Sequence, residues 1–107
     1  MFGTGIGVRD YIYIEDVAEA ICKYCELSNA TNSITNISNG QGISVKEITE
    51  MLLTHSNKNL NVEWGSEKDN GVKYKVLDNT KMTKDINFNP TVKINDGLAK
   101  TWRYFNA

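Results

Sequence analysis

From residue 9 to residue 14 the chain alternates with period two. Arg9, Tyr11 and Tyr13 fall on one face and Asp10, Ile12 and Ile14 on the other, the pattern of a half-buried strand. The pattern then changes. Glu15 and Asp16 supply carboxylates of the kind that favour a helix N-terminus, and Val17, Ala20, Ile21, Tyr24 and Cys25 recur at helical spacing as far as Leu27, which predicts a helix with one buried side. A polar connection over 28–33 leads to a short strand over 34–37 and a turn at Asn39-Gly40-Gln41-Gly42. The next helix has the clearest start in the chain, because Ser44 and Glu47 form a capping box in which each side chain satisfies a backbone NH. Val45, Ile48 and Leu52, with Met51 beside them, give it a buried stripe, and His55 marks its end. Downstream, 60–64 alternates as a strand, 65–71 is a charged loop and 73–77 is another short strand. A short helix over 79–86 stops before Asn89-Pro90, since the residue preceding a proline disfavours helical angles. Ile94, Leu98, Thr101, Trp102 and Phe105 share one face of a last helix, for which Thr91 is the candidate cap. The expected architecture is α/β, with short strands in a mixed sheet and three main helices packed on it.

Composition narrows the frame. At 107 residues with 40% hydrophobic side chains, 12 basic against 13 acidic groups and one proline, residues 1–107 are expected to form a single small domain. The near-neutral charge gives nucleic acid no electrostatic purchase. Neither a long apolar run nor a charged-then-apolar leader is present, so no membrane span or secretory signal is expected and a cytoplasmic location is the default.

Several residues invite chemical readings that their context does not support. Gly3, Gly5 and Gly7 resemble a phosphate loop, but a dinucleotide fingerprint needs a strand before the glycines and a helix straight after, whereas here a strand follows and the third required glycine falls at Val8. A turn leading into a strand is the better reading. Cys22 and Cys25 have redox or zinc spacing, yet they sit well inside a predicted helix and there is no second cysteine or histidine pair, so two reduced, partly buried thiols are expected. His55, the single histidine, is placed to complement helix carbonyl dipoles rather than to act as a base. No metal site is expected.

The segment Arg9-Asp10-Tyr11-Ile12-Tyr13-Ile14-Glu15-Asp16-Val17-Ala18 resembles the arginine-bearing strand and following helix of the extended short-chain dehydrogenase/reductase family, the nucleotide-sugar epimerases, dehydratases and reductases. Three further segments resemble that family in the right order: Asn36-Ile37-Ser38-Asn39-Gly40-Gln41-Gly42-Ile43-Ser44-Val45-Lys46-Glu47-Ile48, then Leu77-Asp78-Asn79-Thr80-Lys81-Met82, then Phe88-Asn89-Pro90 with Ile94-Asn95-Asp96-Gly97-Leu98. The stretch 71–78 is more similar to the GDP-fucose synthase branch than to the UDP-galactose 4-epimerase branch. The resemblance implies the C-terminal, substrate-side fragment of a Rossmann-type nucleotide-sugar enzyme whose N-terminal dinucleotide-binding domain is absent here. It implies NAD or NADP as the cofactor of the full-length enzyme, with no cofactor-binding residue in this chain. The family's glycine-rich loop and Tyr-x-x-x-Lys pair are missing, and none of the five tyrosines is followed by lysine four positions later, so no catalytic residue is assigned.

By the same resemblance Arg9 is the residue that contacts the diphosphate of a nucleotide sugar. Its planar fork engages two phosphate oxygens at once. From residue type alone, an arginine paired with a nearby carboxylate is the competing reading. Lys75 is the second candidate: many relatives carry an arginine before the Leu-Asp-x-Ser-Lys run, whereas this chain has Lys73 and Lys75, which bring charge without bidentate geometry and also read as solvated strand-edge side chains. The expected partners are a nucleotide-sugar substrate, weakly bound by the isolated chain, the missing N-terminal domain, and a further copy of the chain through surfaces that domain leaves uncovered. A noncatalytic binding or oligomerisation module derived from the family is the alternative function.

Overall fold

The structure is a computed structural model that describes residues 1, 3–27 and 33–107. Strand β1 (Val8–Asp10) is followed by helix α1 (Ile14–Glu26), strand β2 (Gly42–Ser44), helix α2 (Val45–Ser56), strand β3 (Tyr74–Lys75), and helices α3 (Thr80–Ile86) and α4 (Ile94–Phe105). A 3₁₀ turn, Glu67–Asp69, sits in the charged loop. β1 is the centre of a three-stranded mixed sheet of order β2-β1-β3. It pairs antiparallel with β2, Arg9 opposite Ile43, and parallel with β3, Arg9 opposite Lys75.

The sheet is shorter and differently composed than the alternation implies. β1 ends at Asp10, because α1 begins at Ile14 and the intervening residues turn the chain. Residues 34–37 and 60–64 carry strand-like sequence but form no strand, since neither has a neighbouring strand in this sheet. β2 lies where a turn was expected to end. Close packing explains its composition: a Cβ at Gly42 would lie 2.5 Å from Val8 Cγ1 and 2.7 Å from Val76 Cγ2, so a side chain there would force the strands apart. Residues 28–32 of the expected polar connection lie outside the described residues.

The capping box forms as read. The amide of Glu47 donates to Ser44 Oγ at 3.1 Å and the amide of Ser44 donates to Glu47 Oε2 at 2.9 Å. α4 begins differently, with Lys93 at the cap position and no side-chain cap, because Thr91 is engaged elsewhere: its amide and hydroxyl both donate to Asp16 Oδ1 at 3.0 Å.

Burial on α1 is rotated from the expected stripe. Ala20 is fully buried and Asp16 nearly so, with Tyr24 and Leu27 packed beside the core, whereas Ile21 and Cys25 face outward. The core is small: Ala20, Met82, Ile86 and Phe88, with Tyr24, Leu27 and Ile37 against it. Short α3 therefore supplies the centre of the packing. Phe105, expected on the buried face of α4, is 78% exposed. The molecule is a thin slab of 51 × 35 × 16 Å with a radius of gyration of 16.4 Å, against about 13 Å for a compact body of this length.

Candidate functional site

Arg9 occupies the middle position of the middle strand. Residues opposite one another in a sheet project from the same face, so Arg9 and Lys75 stand side by side on adjacent strands about 4.8 Å apart. Nη1 of Arg9 donates to the carbonyl of its neighbour Val8 at 2.8 Å, and the guanidinium lies over Gly7, where a Cβ would sit 3.4 Å from Nη1. Among the described residues no carboxylate forms an ion pair with Arg9, Lys73 or Lys75; the pairs present are Lys23–Glu19, Lys81–Asp85 and Lys100–Glu15. The competing reading of Arg9 as half of a structural ion pair thus finds no partner here. A half-buried guanidinium with one internal hydrogen bond retains most of its five donors for an incoming anion. The sheet also brings Lys75 to Arg9, while Lys73 contributes its carbonyl to the ladder, accepting from Val8 at 2.8 Å.

The adjacent carboxylate, Asp10, behaves in the opposite way. It accepts from the amides of Asn39 at 2.9 Å, Gly40 at 3.0 Å and Leu77 at 3.3 Å, and so ties β1 to the two segments that flank it. Gly40 has φ +74°, a left-handed conformation that lets its amide turn toward Asp10. Asp16, 2% exposed at the start of α1, accepts from the amide and hydroxyl of Thr91 and from the amide of Val92, each at 3.0 Å. These two positioning roles were not assigned from the sequence. A carboxylate next to a strand arginine and another in a first helical turn read locally as charge and dipole partners, and only the chain's long-range path shows which amides they meet.

The glycine turn is docked, not open. The carbonyls of Gly7 and Gly5 accept from the amides of Val45 at 3.0 Å and Lys46 at 2.9 Å, so the first donors of α2 are already engaged. A phosphate loop would present amides to its ligand; this turn presents carbonyls to a helix. Cys22 and Cys25 are free and exposed, not partly buried, because the inward face of α1 is the Asp16–Ala20 side. His55 Nε2 lies 2.9 Å from Asn95 Oδ1 and joins α2 to α4. Among the described residues no cluster of three or more His, Cys, Asp or Glu side chains is arranged to hold a metal ion, and no helix is long and apolar enough to cross a membrane.

Shifted ionisation follows local hydrogen bonding. Glu47 is held below the usual carboxylate range by the Ser44 hydroxyl and amide, Asp78 by Thr80, and Asp85 by Lys81, while Glu15 raises Lys100. A surface depression of about 490 Å³ is lined by Asn36, Asp78, Thr80, Lys81, Lys84 and Asp85. Lys81 there already bonds Asp85 at 2.6 Å and the Thr35 hydroxyl at 2.8 Å, so it holds less unpaired charge than the Arg9 strand.

No family model matches the chain. Curated relatives do. Over 105 residues it is 23% identical to a probable GDP-L-fucose synthase 1 of rice, Oryza sativa subsp. japonica, covering 98% of this chain and 31% of the relative. Over 102 residues it is 30% identical to a UDP-glucuronate 4-epimerase of Thermodesulfobacterium geofontis, covering 94% of this chain and 31% of that protein. Among solved structures it resembles the UDP-glucose 4-epimerase of Thermotoga maritima, determined with UDP-glucose, at a TM-score of 0.87 and 28% identity over 99% of this chain and 34% of that one. The chain thus spans about a third of the length of the relatives it matches. With the arginine strand, the capped helix and the closing Phe88-Asn89-Pro90 segment in that order on one α/β scaffold, this chain belongs to the short-chain dehydrogenase/reductase-type epimerase/dehydratase family and corresponds to its C-terminal part.

Proposed function

We propose that the chain is the nucleotide-sugar-binding portion of an NAD(P)-dependent epimerase, dehydratase or reductase, working in the cytoplasm and catalytically incomplete alone. Arg9, assisted by Lys75, holds the substrate diphosphate. A dinucleotide-binding domain outside these residues supplies the cofactor and the proton chemistry. The observation that carries this reading is Arg9 itself, a half-buried guanidinium on the central strand with no ion-pair partner among the described residues and a second cation beside it in register. Two cations offset the diphosphate charge, and the rigid strand fixes the phosphates relative to the sugar. A nicotinamide held outside these residues would supply hydride transfer at the sugar; the residues of this chain anchor and orient.

Ligand-observed NMR with UDP, GDP and dTDP tests the assignment. Weak binding is expected, and Arg9→Ala should cost on the order of 1.5–3 kcal/mol of it, with a smaller loss for Lys75→Ala. Binding unchanged by Arg9→Ala removes the residue from the site. Titration calorimetry with NAD and NADP should show no useful affinity; a micromolar dissociation constant would mean that the chain holds a cofactor site of its own. The noncatalytic-module reading draws support from the exposed apolar side chains of α1, through which the isolated chain is expected to form homo-oligomers at high concentration, and a strictly monomeric sedimentation profile would count against it.

A further inference from the structure

We infer that Asn70-Gly71 is a site of spontaneous deamidation in the folded chain, while the chemically identical Asn39-Gly40 pair is protected by Asp10. The sequence holds these two Asn-Gly pairs and no other. A glycine after asparagine leaves the backbone nitrogen open to attack the side-chain amide, so from sequence alone both pairs are equally exposed to the reaction. The fold treats them differently.

At residue 70 the reaction is balanced as follows. The Gly71 amide gives its proton to hydroxide and its nitrogen attacks Asn70 Cγ; the new N–Cγ bond forms, the Cγ–Nδ2 bond breaks and ammonia leaves with a proton from water. Water then opens the succinimide at either carbonyl to give aspartate or isoaspartate, and no electron is transferred. Charge develops on Oδ1 during the attack. That oxygen already accepts from the Thr4 amide at 2.6 Å and from the Thr4 hydroxyl at 3.0 Å, two donors placed to stabilise an oxyanion. The nucleophile is free as well, since among the described residues the Gly71 amide donates to no group. Asn70 stands at φ −69° and ψ −26° and has to turn about its Cα–C bond before the nitrogen reaches Cγ. Gly71 gives that peptide room to turn: its φ is +61°, and a Cβ built there would meet nothing within 4 Å.

At residue 39 each of these features is reversed. The Gly40 amide donates to Asp10 Oδ2 at 3.0 Å and the Asn39 amide to Oδ1 at 2.9 Å, so the nucleophile is bonded to a carboxylate whose negative charge opposes loss of its proton. Gly40 is also hemmed in, with a Cβ there lying 2.8 Å from Asn79 Nδ2. Asp10 thus shields a labile peptide as well as fastening β1.

The test incubates the 107-residue chain in mildly alkaline buffer, native and in urea, and follows the one-mass-unit gain by tandem mass spectrometry of tryptic peptides 69–73 and 24–46. In the native chain Asn70 should react at least about tenfold faster than Asn39, whereas in urea the two rates should come within about twofold. Asp10→Ala should raise the Asn39 rate towards its value in urea, and Asp10→Asn, which keeps the shape of the side chain but removes its charge, should raise it less. Similar rates at the two sites in the native chain overturn the inference, as does an Asn70 rate that folding slows as much as it slows Asn39. An Asn39 rate unchanged in both Asp10 variants removes the protective role of the carboxylate. Should Asp10→Ala fail to fold, the native-to-urea comparison in the unaltered chain and the Asp10→Asn variant still decide the matter.

Discussion

The acidic and basic side chains around β1 have opposite fates. Asp10 and Asp16 are saturated, each accepting three hydrogen bonds from distant parts of the chain, whereas Arg9 makes one bond to its own neighbour and Lys75 projects into solvent. The carboxylates hold the fold, whereas among the described residues neither cation has an ion-pair partner. Binding capacity is therefore to be sought where donors remain unused, and stability where acceptors are full.

Asp16→Ala should strike the hardest. It leaves the Thr91 amide and hydroxyl and the Val92 amide without an acceptor in a buried setting, and urea denaturation should show a loss of about 3 kcal/mol or outright unfolding. A loss no larger than that of an ordinary surface change would mean that water replaces the carboxylate. Asp10→Ala should cost about 1–2 kcal/mol and speed amide exchange at Asn39 and Gly40, since those donors are less deeply placed. Arg9→Ala sharpens the contrast from the other side: stability should stay within about 0.5 kcal/mol while nucleotide binding falls. A large loss of stability would place Arg9 with the carboxylates as a structural group.

The smallest effect is one of pH. Glu47 lies below its ordinary 4.5 because the Ser44 hydroxyl and amide favour its charged form, so the capping box stabilises above that pH and the contribution disappears as pH falls through the depressed value. Asp78 and Asp85 act in the same sense. Urea midpoints measured from neutral pH down to about pH 3 should decline, and Glu47→Gln should decline less steeply. Parallel slopes for the two proteins would show that the cap does not respond to protonation.

What the sequence disclosed follows the range of the interactions. The Ser44–Glu47 box, the extent of α2 and the break before Pro90 depend on residues a few positions apart, and all are present. Strand boundaries and buried faces depend on partners that periodicity does not name. Residues 34–37 have strand composition without a strand beside them, and α1 has two apolar stripes, of which the core takes the one containing an aspartate. Arg9 and Lys75 were both singled out from the sequence, but their side-by-side placement required the parallel register of β1 and β3. The purpose of the neighbouring carboxylates was hidden for the same reason, since Asp16 meets its donors 75 and 76 positions away.

The same central strand has a consequence for how the chain folds. Val8 pairs with Ser44 and with Tyr74, so β1 has one neighbour only after the first half of the chain is in place and both only after residue 74. Helices α1 and α2 form from local contacts, while the sheet has to close two long loops before any of its ladder is gained. During synthesis β1 would wait unpaired until its partners at residues 42–44 and 74–75 are made, and the strand that carries Arg9 would become ordered after the helix that follows it.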